Sequence, residues 1–70
     1  MEPTERAKLE SYLRARFGSA SLVVKPKGRS KDSAEVFLGD EFVGTLSRDD
    51  EDGDLSYYFT MSILQIDLDD

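Results

Sequence analysis

The sequence predicts a small α+β domain in two layers, with one N-terminal amphipathic helix packed on a mainly antiparallel four-stranded sheet in the order α-β-β-β-β. Two observations support this class. Apolar residues recur at helical spacing before Gly18, and short β-branched or aromatic runs separated by turn residues follow it. A chain of 70 residues is long enough for one domain, so residues 1–70 are expected to fold as a single unit.

The helix is predicted over residues 5–17. Four apolar residues follow the i, i+3, i+4, i+8 spacing that places side chains on one face of a helix: Leu9, Tyr12, Leu13 and Phe17. Thr4 is the expected N-cap, and Gly18 is the expected left-handed residue that ends the helix. The helix should therefore pack on the sheet through this apolar face.

The first two strands are predicted over residues 21–25 and 34–38, with a polar loop between them. Pro26 ends the first strand or confines it to a sheet edge, because proline cannot donate a ladder hydrogen bond. The third strand is predicted over residues 41–48.

Gly39-Asp40 predicts a tight hairpin between the second and third strands. A two-residue type II′ turn pairs Phe37 with Phe42 and Val36 with Val43. A three-residue loop over residues 39–41 pairs Leu38 with Phe42 instead. The sequence leaves both registers open.

Asp52-Gly53 predicts a type I′ turn in the next hairpin. That turn sets four cross-strand pairs, and they are Arg48–Tyr57, Leu46–Phe59, Gly44–Met61 and Phe42–Ile63. Arg48 is then expected to lie over the ring of Tyr57. The register is well defined because a slip of one residue would reverse the face of every side chain.

The apolar pattern of the last strand changes phase near Ile63-Leu64. This change requires either a bulge or a separate short element over residues 62–68. A single helix can cover only one face of the sheet. We expect that face to carry Leu38, Phe42, Leu46, Phe59, Met61 and Ile63. Phe37, Val43 and Tyr58 then fall on the other face, which is either an interface or is covered by the C-terminal segment.

The net charge of −6 is unevenly distributed. Residues 1–31 carry eight Lys and Arg against three acids, and residues 32–70 carry one Arg against twelve acids. The excess of acids disfavours non-specific binding to nucleic acid. The charged first residues and the short apolar runs predict a cytoplasmic protein without a membrane segment.

The acidic stretch RDDEDGD, residues 48–54, has some features of a calcium-binding loop. If Gly53 is placed at loop position 6, Asp50 and Asp52 fall on liganding positions. Arg48 and Phe59 then occupy positions 1 and 12, where acids are required. A solvated turn is therefore favoured over a divalent-ion site, and no metal or other cofactor is expected.

The motifs GDEFVG, DLSYYFTM and IDLDD, together with LESYLRARFG, span nearly the whole chain. On these motifs the sequence resembles a family of small single-domain alphaproteobacterial proteins of unknown function. The resemblance implies a bacterial stand-alone domain, and it brings no catalytic residues, cofactor or substrate.

An enzyme is not expected, because the chain has no histidine or cysteine and shows no convergent polar site. The favoured function is a non-enzymatic protein-interaction module, with a homodimer as one form of it. The residues expected to line the contact are Phe37, Val43 and Tyr58. The alternative is binding of nucleic acid or a phosphate ligand by the loop over residues 25–31, through Lys25, Lys27, Arg29 and Lys31.

Overall fold

The computed structural model describes residues 1–69. Its elements are α1 Pro3–Phe17, β1 Leu22–Pro26, β2 Ser33–Leu38, β3 Glu41–Asp49, β4 Ser56–Thr60 and α2 Gln65–Leu68. The four strands form one antiparallel sheet in chain order, β1-β2-β3-β4, and α1 packs on one face of it. The predicted α+β architecture is confirmed.

Helix α1 begins earlier than its sequence pattern predicts. Glu2 takes the N-cap position with extended backbone angles, and Pro3 is the first helical residue. The prediction of Thr4 as N-cap is wrong, because proline with its fixed φ favours the first helical position and lacks the N–H that would be unpaired there. The predicted end is confirmed, since Gly18 has a φ of 62° and its N–H donates to the carbonyl of Arg14.

The core lies between α1 and the first three strands. Its buried side chains are Met1, Leu13, Leu22, Val24, Ala34, Val36 and Leu46. Leu9 and Leu13 carry the helix contact, whereas Tyr12 and Phe17 of the predicted apolar face remain exposed. Phe17 still packs edge to face on Phe59 of β4, with ring centroids 6.3 Å apart, so Tyr12 is the member of the predicted stripe that lies outside the contact. Met1 supplies core volume that helical periodicity does not reveal.

The outer edge of β1 is occupied by two side chains of α1. Arg14 Nε donates to the carbonyl of Leu22 at 2.7 Å, and the amide of Val24 donates to Glu10 Oε2 at 2.9 Å. Glu10 and Arg14 also form an i,i+4 ion pair at 3.3 Å. Backbone groups that would otherwise be open to another strand are thus satisfied within the chain.

The β2–β3 hairpin has the predicted two-residue turn, but only part of the strand register expected from that turn is observed. Gly39 has a φ of 62° and Asp40 a negative φ, as a type II′ turn requires, and Phe37 pairs with Phe42. Val36 then pairs with Gly44 rather than with Val43, so the predicted Val36–Val43 pair is wrong. A β-bulge at Val43 adds one residue to β3 at this point.

The bulge reverses the faces of two neighbouring residues. Val43 packs against the core, and Phe42 lies on the outer face beside Phe37. The sequence pattern predicts the opposite faces for these two side chains, because strict alternation along a strand makes no allowance for the extra residue of a bulge.

The β3–β4 hairpin keeps its predicted register through a longer connection. Arg48 pairs with Tyr57 and Leu46 with Phe59, as expected. The ladder begins at Asp49–Ser56, and the turn between the strands has Gly53 N donating to the carbonyl of Asp50. The expected tight Asp52-Gly53 turn is therefore wrong.

Strand β4 ends at Thr60, opposite Thr45. The predicted Gly44–Met61 and Phe42–Ile63 pairs are not formed, because β3 bends at the Val43 bulge just beyond the last pair. Of the two predicted explanations for the phase change, the separate short element is the one observed. In it, Asp67 Oδ2 accepts a hydrogen bond from the Leu64 amide at the start of α2.

Candidate functional site

The sheet face opposite α1 carries a small apolar area, the outer patch, formed by Val23, Lys25, Phe37 and Phe42. The Phe37 and Phe42 rings meet edge to face with centroids 5.7 Å apart. Lys25 Nζ lies 4.5 Å from the centroid of the Phe37 ring, and Val23 is opposite Phe37 in the ladder. The patch combines aromatic surface with one positive charge at its margin.

The three residues predicted to line a contact do not form one surface. Phe37 belongs to the outer patch, and Val43 packs against the core on the other side of the sheet. Tyr58 is exposed opposite Ser47, about five residues along β3 from the position opposite Phe37, or roughly 16 Å at strand spacing. Whether Phe37 and Tyr58 bind a partner stays a prediction.

The segment over residues 61–69, the tail, is the most exposed apolar part of the chain. Five large apolar side chains in it are between 49% and 74% exposed, namely Met61, Ile63, Leu64, Ile66 and Leu68. One expectation from the sequence is that the C-terminal segment covers the outer face of the sheet, and the tail does not do so. The radius of gyration of 12.9 Å exceeds the ~11 Å of a compact domain of this length, as a projecting tail requires.

A groove of about 450 Å³ joins the tail to the outer patch. Phe42 and Val43 form part of one wall, and Met61 and Leu64 form part of the other. The groove opens where β4 ends, so that residues 41–44 of β3 pair with β2 on one side and have no strand on the other. The outer patch, the groove and the tail therefore form one apolar end of the molecule.

The basic loop predicted over residues 25–31 is only partly a loop. Lys25 lies within β1 on the outer patch, and the other three cations, Lys27, Arg29 and Lys31, are exposed beyond Pro26. A turn with Ser30 N donating to the carbonyl of Lys27 gives this connection its shape. The acidic β3–β4 turn lies at the same end of the sheet, which weakens the local positive potential.

Arg48 links that end of the sheet to the helix. Its Nε lies 3.0 Å from Glu5 Oε2, aligned as an ion pair rather than as a hydrogen bond. The Tyr57 hydroxyl donates to the same carboxylate oxygen. The predicted stacking of Arg48 on Tyr57 is wrong, because within residues 1–69 the cation found over a ring is Lys25, over Phe37.

This arrangement changes two acid–base equilibria. The hydrogen bond from Tyr57, then a backbone hydrogen bond at Glu2 and the charge of Arg48, hold the pKa of Glu5 below its ordinary value against the opposing effect of burial. The same hydrogen bond, together with partial burial, raises the pKa of Tyr57. The cluster ties α1 to β3 and β4.

The acidic β3–β4 turn does not converge on a central point. Asp50 and Asp32 lie 3.7 Å and 3.9 Å from Arg48, and Asp49 Oδ1 accepts a hydrogen bond from the Glu51 amide. Within residues 1–69 no group of three or more acidic side chains is placed to hold a metal ion. The divalent-ion hypothesis gains no support from this geometry.

The fold and its surfaces define a small α+β domain with an uncovered apolar end. Residues 5–67 match the family model described as "Protein of unknown function (DUF3126)", and the chain belongs to that family. No curated protein and no solved structure gives a significant match. The resemblance to an uncharacterised domain family is confirmed, while the alphaproteobacterial origin stays a prediction.

A membrane-spanning helix is not found within the described residues, since α1 has 15 residues with charged side chains along its length and α2 has four.

Proposed function

We propose that this chain is a non-enzymatic protein-interaction module that binds its partner through the apolar end. The observation that carries this proposal is the exposure of the apolar side chains of the outer patch and the tail, which the groove joins. Exposed apolar areas of this extent are typical of interaction sites, because isolated water-exposed domains rarely keep them. A cytoplasmic location stays a prediction.

Two further features favour an interaction module over an enzyme. The chain has neither histidine nor cysteine, the side chains most used for acid–base and nucleophilic catalysis. The groove is lined by apolar residues and by Thr45, Thr60 and Ser62, with Glu41 and Asp67 as its charged groups. These groups do not form a nucleophile–base pair.

The alternative, binding of nucleic acid or a phosphate ligand through Lys25, Lys27, Arg29 and Lys31, is less well supported. Lys25 is engaged with Phe37. Asp32 and Asp50, which lie near Arg48, bring negative charge to the end of the sheet that carries the other three cations. A phosphate site gathers donors around one point, and these four side chains do not share one.

Site-specific photo-crosslinking in cells that make the protein tests the proposed function. A photoreactive residue is placed at Ile66 in the tail, and matched copies carry it at Tyr12 on α1 or at Glu51 in the acidic turn, all three exposed. We expect discrete protein adducts from position 66 and none from the two controls. Adducts absent at 66, or equal at all three positions, would rule out the apolar end as the binding surface.

A further inference from the structure

The tail has the composition of a docking segment. Residues 61–64 are extended, and α2 adds one helical turn that presents Ile66 and Leu68 to solvent. Asp67 and Asp69 lie among these apolar residues, so the segment is both apolar and negatively charged. A surface that fits it must offer apolar area together with positive charge.

The outer patch has that complementary character. Phe42 is 52% exposed, and it packs against Phe37 so that the two rings present a ready-formed surface. Lys25 Nζ lies over the Phe37 ring and supplies the patch with one positive charge, and Glu35 stands opposite Lys25 in the β1–β2 ladder. A partner that presents an acidic apolar segment to this patch is a second copy of the chain itself.

We propose that two copies of this chain form a dimer in which the tail of each copy packs on the outer patch of the other. This inference rests on the proposed function and names its partner. Each copy contributes one tail and one patch, so the exchange is reciprocal and closes at two copies. The tail follows Thr60, the last residue of β4, beside the groove that leads to the patch, and residues 61–68 extend over roughly 19 Å by strand and helix spacing.

The area is sufficient for a stable dimer. At about 100 Å² for each exposed apolar side chain, the five tail residues supply roughly 500 Å² per copy. Two tails contribute about 1,000 Å², and the two patches that they cover, each with about half the area of a tail, bring the total to on the order of 1,500 Å², within the 1,200–2,000 Å² range of ordinary specific interfaces. A dimer of this kind explains why a single domain exposes so much apolar surface.

Charge disfavours the other symmetric dimer that the sheet allows. If two β4 edges paired antiparallel, residues after Thr60 of one copy would run beside residues before Ser56 of the other. The acidic tail would then lie against the acidic turn that holds Asp49 to Asp54, and like charges would oppose each other. Tail-to-patch exchange instead places these acids near Lys25.

Molar mass by light scattering, measured over a range of concentrations, is the first test. We expect the unaltered protein to be a dimer, and Ile66→Asp or Phe42→Asp to raise the dimer Kd by at least about tenfold. Tyr12→Asp is the matched control, because Tyr12 has similar exposure on the helix and lies outside the proposed interface. A monomer at every concentration, or equal weakening by Tyr12→Asp, would overturn the inference.

A charge exchange then tests which surfaces meet. Lys25→Glu places two acids together at both junctions, and Asp69→Lys places two cations together, so each variant alone should dimerise more weakly. Asp69 is chosen because Asp67 caps the turn at Leu64. Mixing the two variants makes both junctions complementary, and we expect mixed dimers in excess over either homodimer. Random pairing would contradict the reciprocal exchange.

The experiments distinguish failure of the dimer from failure of the interaction module. A purified chain that stays monomeric, with cellular adducts from position 66 to a different protein, would remove the self-exchange and keep the interaction module. A dimer that Ile66→Asp and Phe42→Asp leave unchanged would also overturn the exchange, since its interface would lie elsewhere. Loss of adducts of every kind at position 66 would remove both proposals.

Discussion

Gly44 of β3 lies close to the end of β4. A Cβ at this position would be 2.5 Å from Phe59 Cε1 and 2.5 Å from the carbonyl oxygen of Thr60. The Phe59 ring can turn away, but the Thr60 oxygen belongs to the backbone of β4. The absence of a side chain at Gly44 is therefore a packing requirement.

We expect Gly44→Ala to lower the free energy of unfolding by about 1–3 kcal/mol, because the added methyl group overpacks the contact between the two strands. Urea unfolding followed by circular dichroism measures this. Ser47→Ala, at an exposed position of the same strand, is the control and should change stability little. An unchanged midpoint for Gly44→Ala would show that β4 moves without cost.

Glu5 gives the fold a defined dependence on acid. Since its pKa is lowered on folding, the folded state binds fewer protons than the unfolded chain near the ordinary glutamate pKa of 4.5. The stabilisation is present above that pH and is lost as the pH falls through the lower pKa of the folded state. Tyr57 has an effect in base instead of acid. Because its pKa is raised on folding, Tyr57 stabilises the fold below about pH 10, and this stabilisation is lost as the pH rises further.

We expect Glu5→Gln to lose less stability than the unaltered protein between about pH 7 and pH 3, since the residue no longer titrates. Tyr57→Phe should cost about 1 kcal/mol at neutral pH by removing the hydrogen bond to the carboxylate. Urea midpoints across this pH range provide the measurement. Glu51→Gln, in the exposed turn, is the control and should follow the unaltered curve.

At the scale of elements, the edge of β1 is stabilised by side chains rather than by a neighbouring strand. We expect Glu10→Ala to speed amide hydrogen exchange at Val24, because the carboxylate that accepts this N–H is removed. Exchange followed by NMR should show the change at Val24 and not at the core residue Val36. Arg16→Ala, one turn from the contact and exposed, serves as the control.

The elements themselves follow largely from local sequence. Helical spacing and Gly18 predict α1, and turn chemistry with cross-strand pairing predicts the Arg48–Tyr57 register. The bulge at Val43 does not follow, because an extra residue in a strand has no signature in an alternating pattern. That one residue exchanges the faces of Phe42 and Val43, so the sheet face of each differs from the one that the alternating pattern predicts.

The remaining differences arise from contacts between distant parts of the chain. Glu5, Arg48 and Tyr57 meet only after α1 packs on the sheet, so their spacing in sequence carries no signal. The exposure of the tail depends likewise on where β4 ends. The phase change near Leu64 indicates a separate element there, but not what that element contacts.

At the scale of the whole molecule, the tail and the domain are energetically separate. Because every residue from Met61 to Asp69 is exposed, Ile66→Ser should leave the free energy of unfolding within about 0.5 kcal/mol of the unaltered value at low protein concentration. Leu46→Ala, in the core, should cost about 2–5 kcal/mol under the same conditions. A large loss for Ile66→Ser would show that the tail packs on its own domain.

The side chains that occupy the edge of β1 also limit how sheets of this protein can join. A fibre grows when one free edge accepts a different free edge of the next molecule without end. Here Glu10 and Arg14 occupy the Leu22 carbonyl and the Val24 amide at the β1 edge, so the uncovered edge of the described sheet is the opposite one, formed by β4 and residues 41–44 of β3. Joining of sheets is then expected between two copies of this same edge, which terminates after two molecules and disfavours open-ended polymerisation.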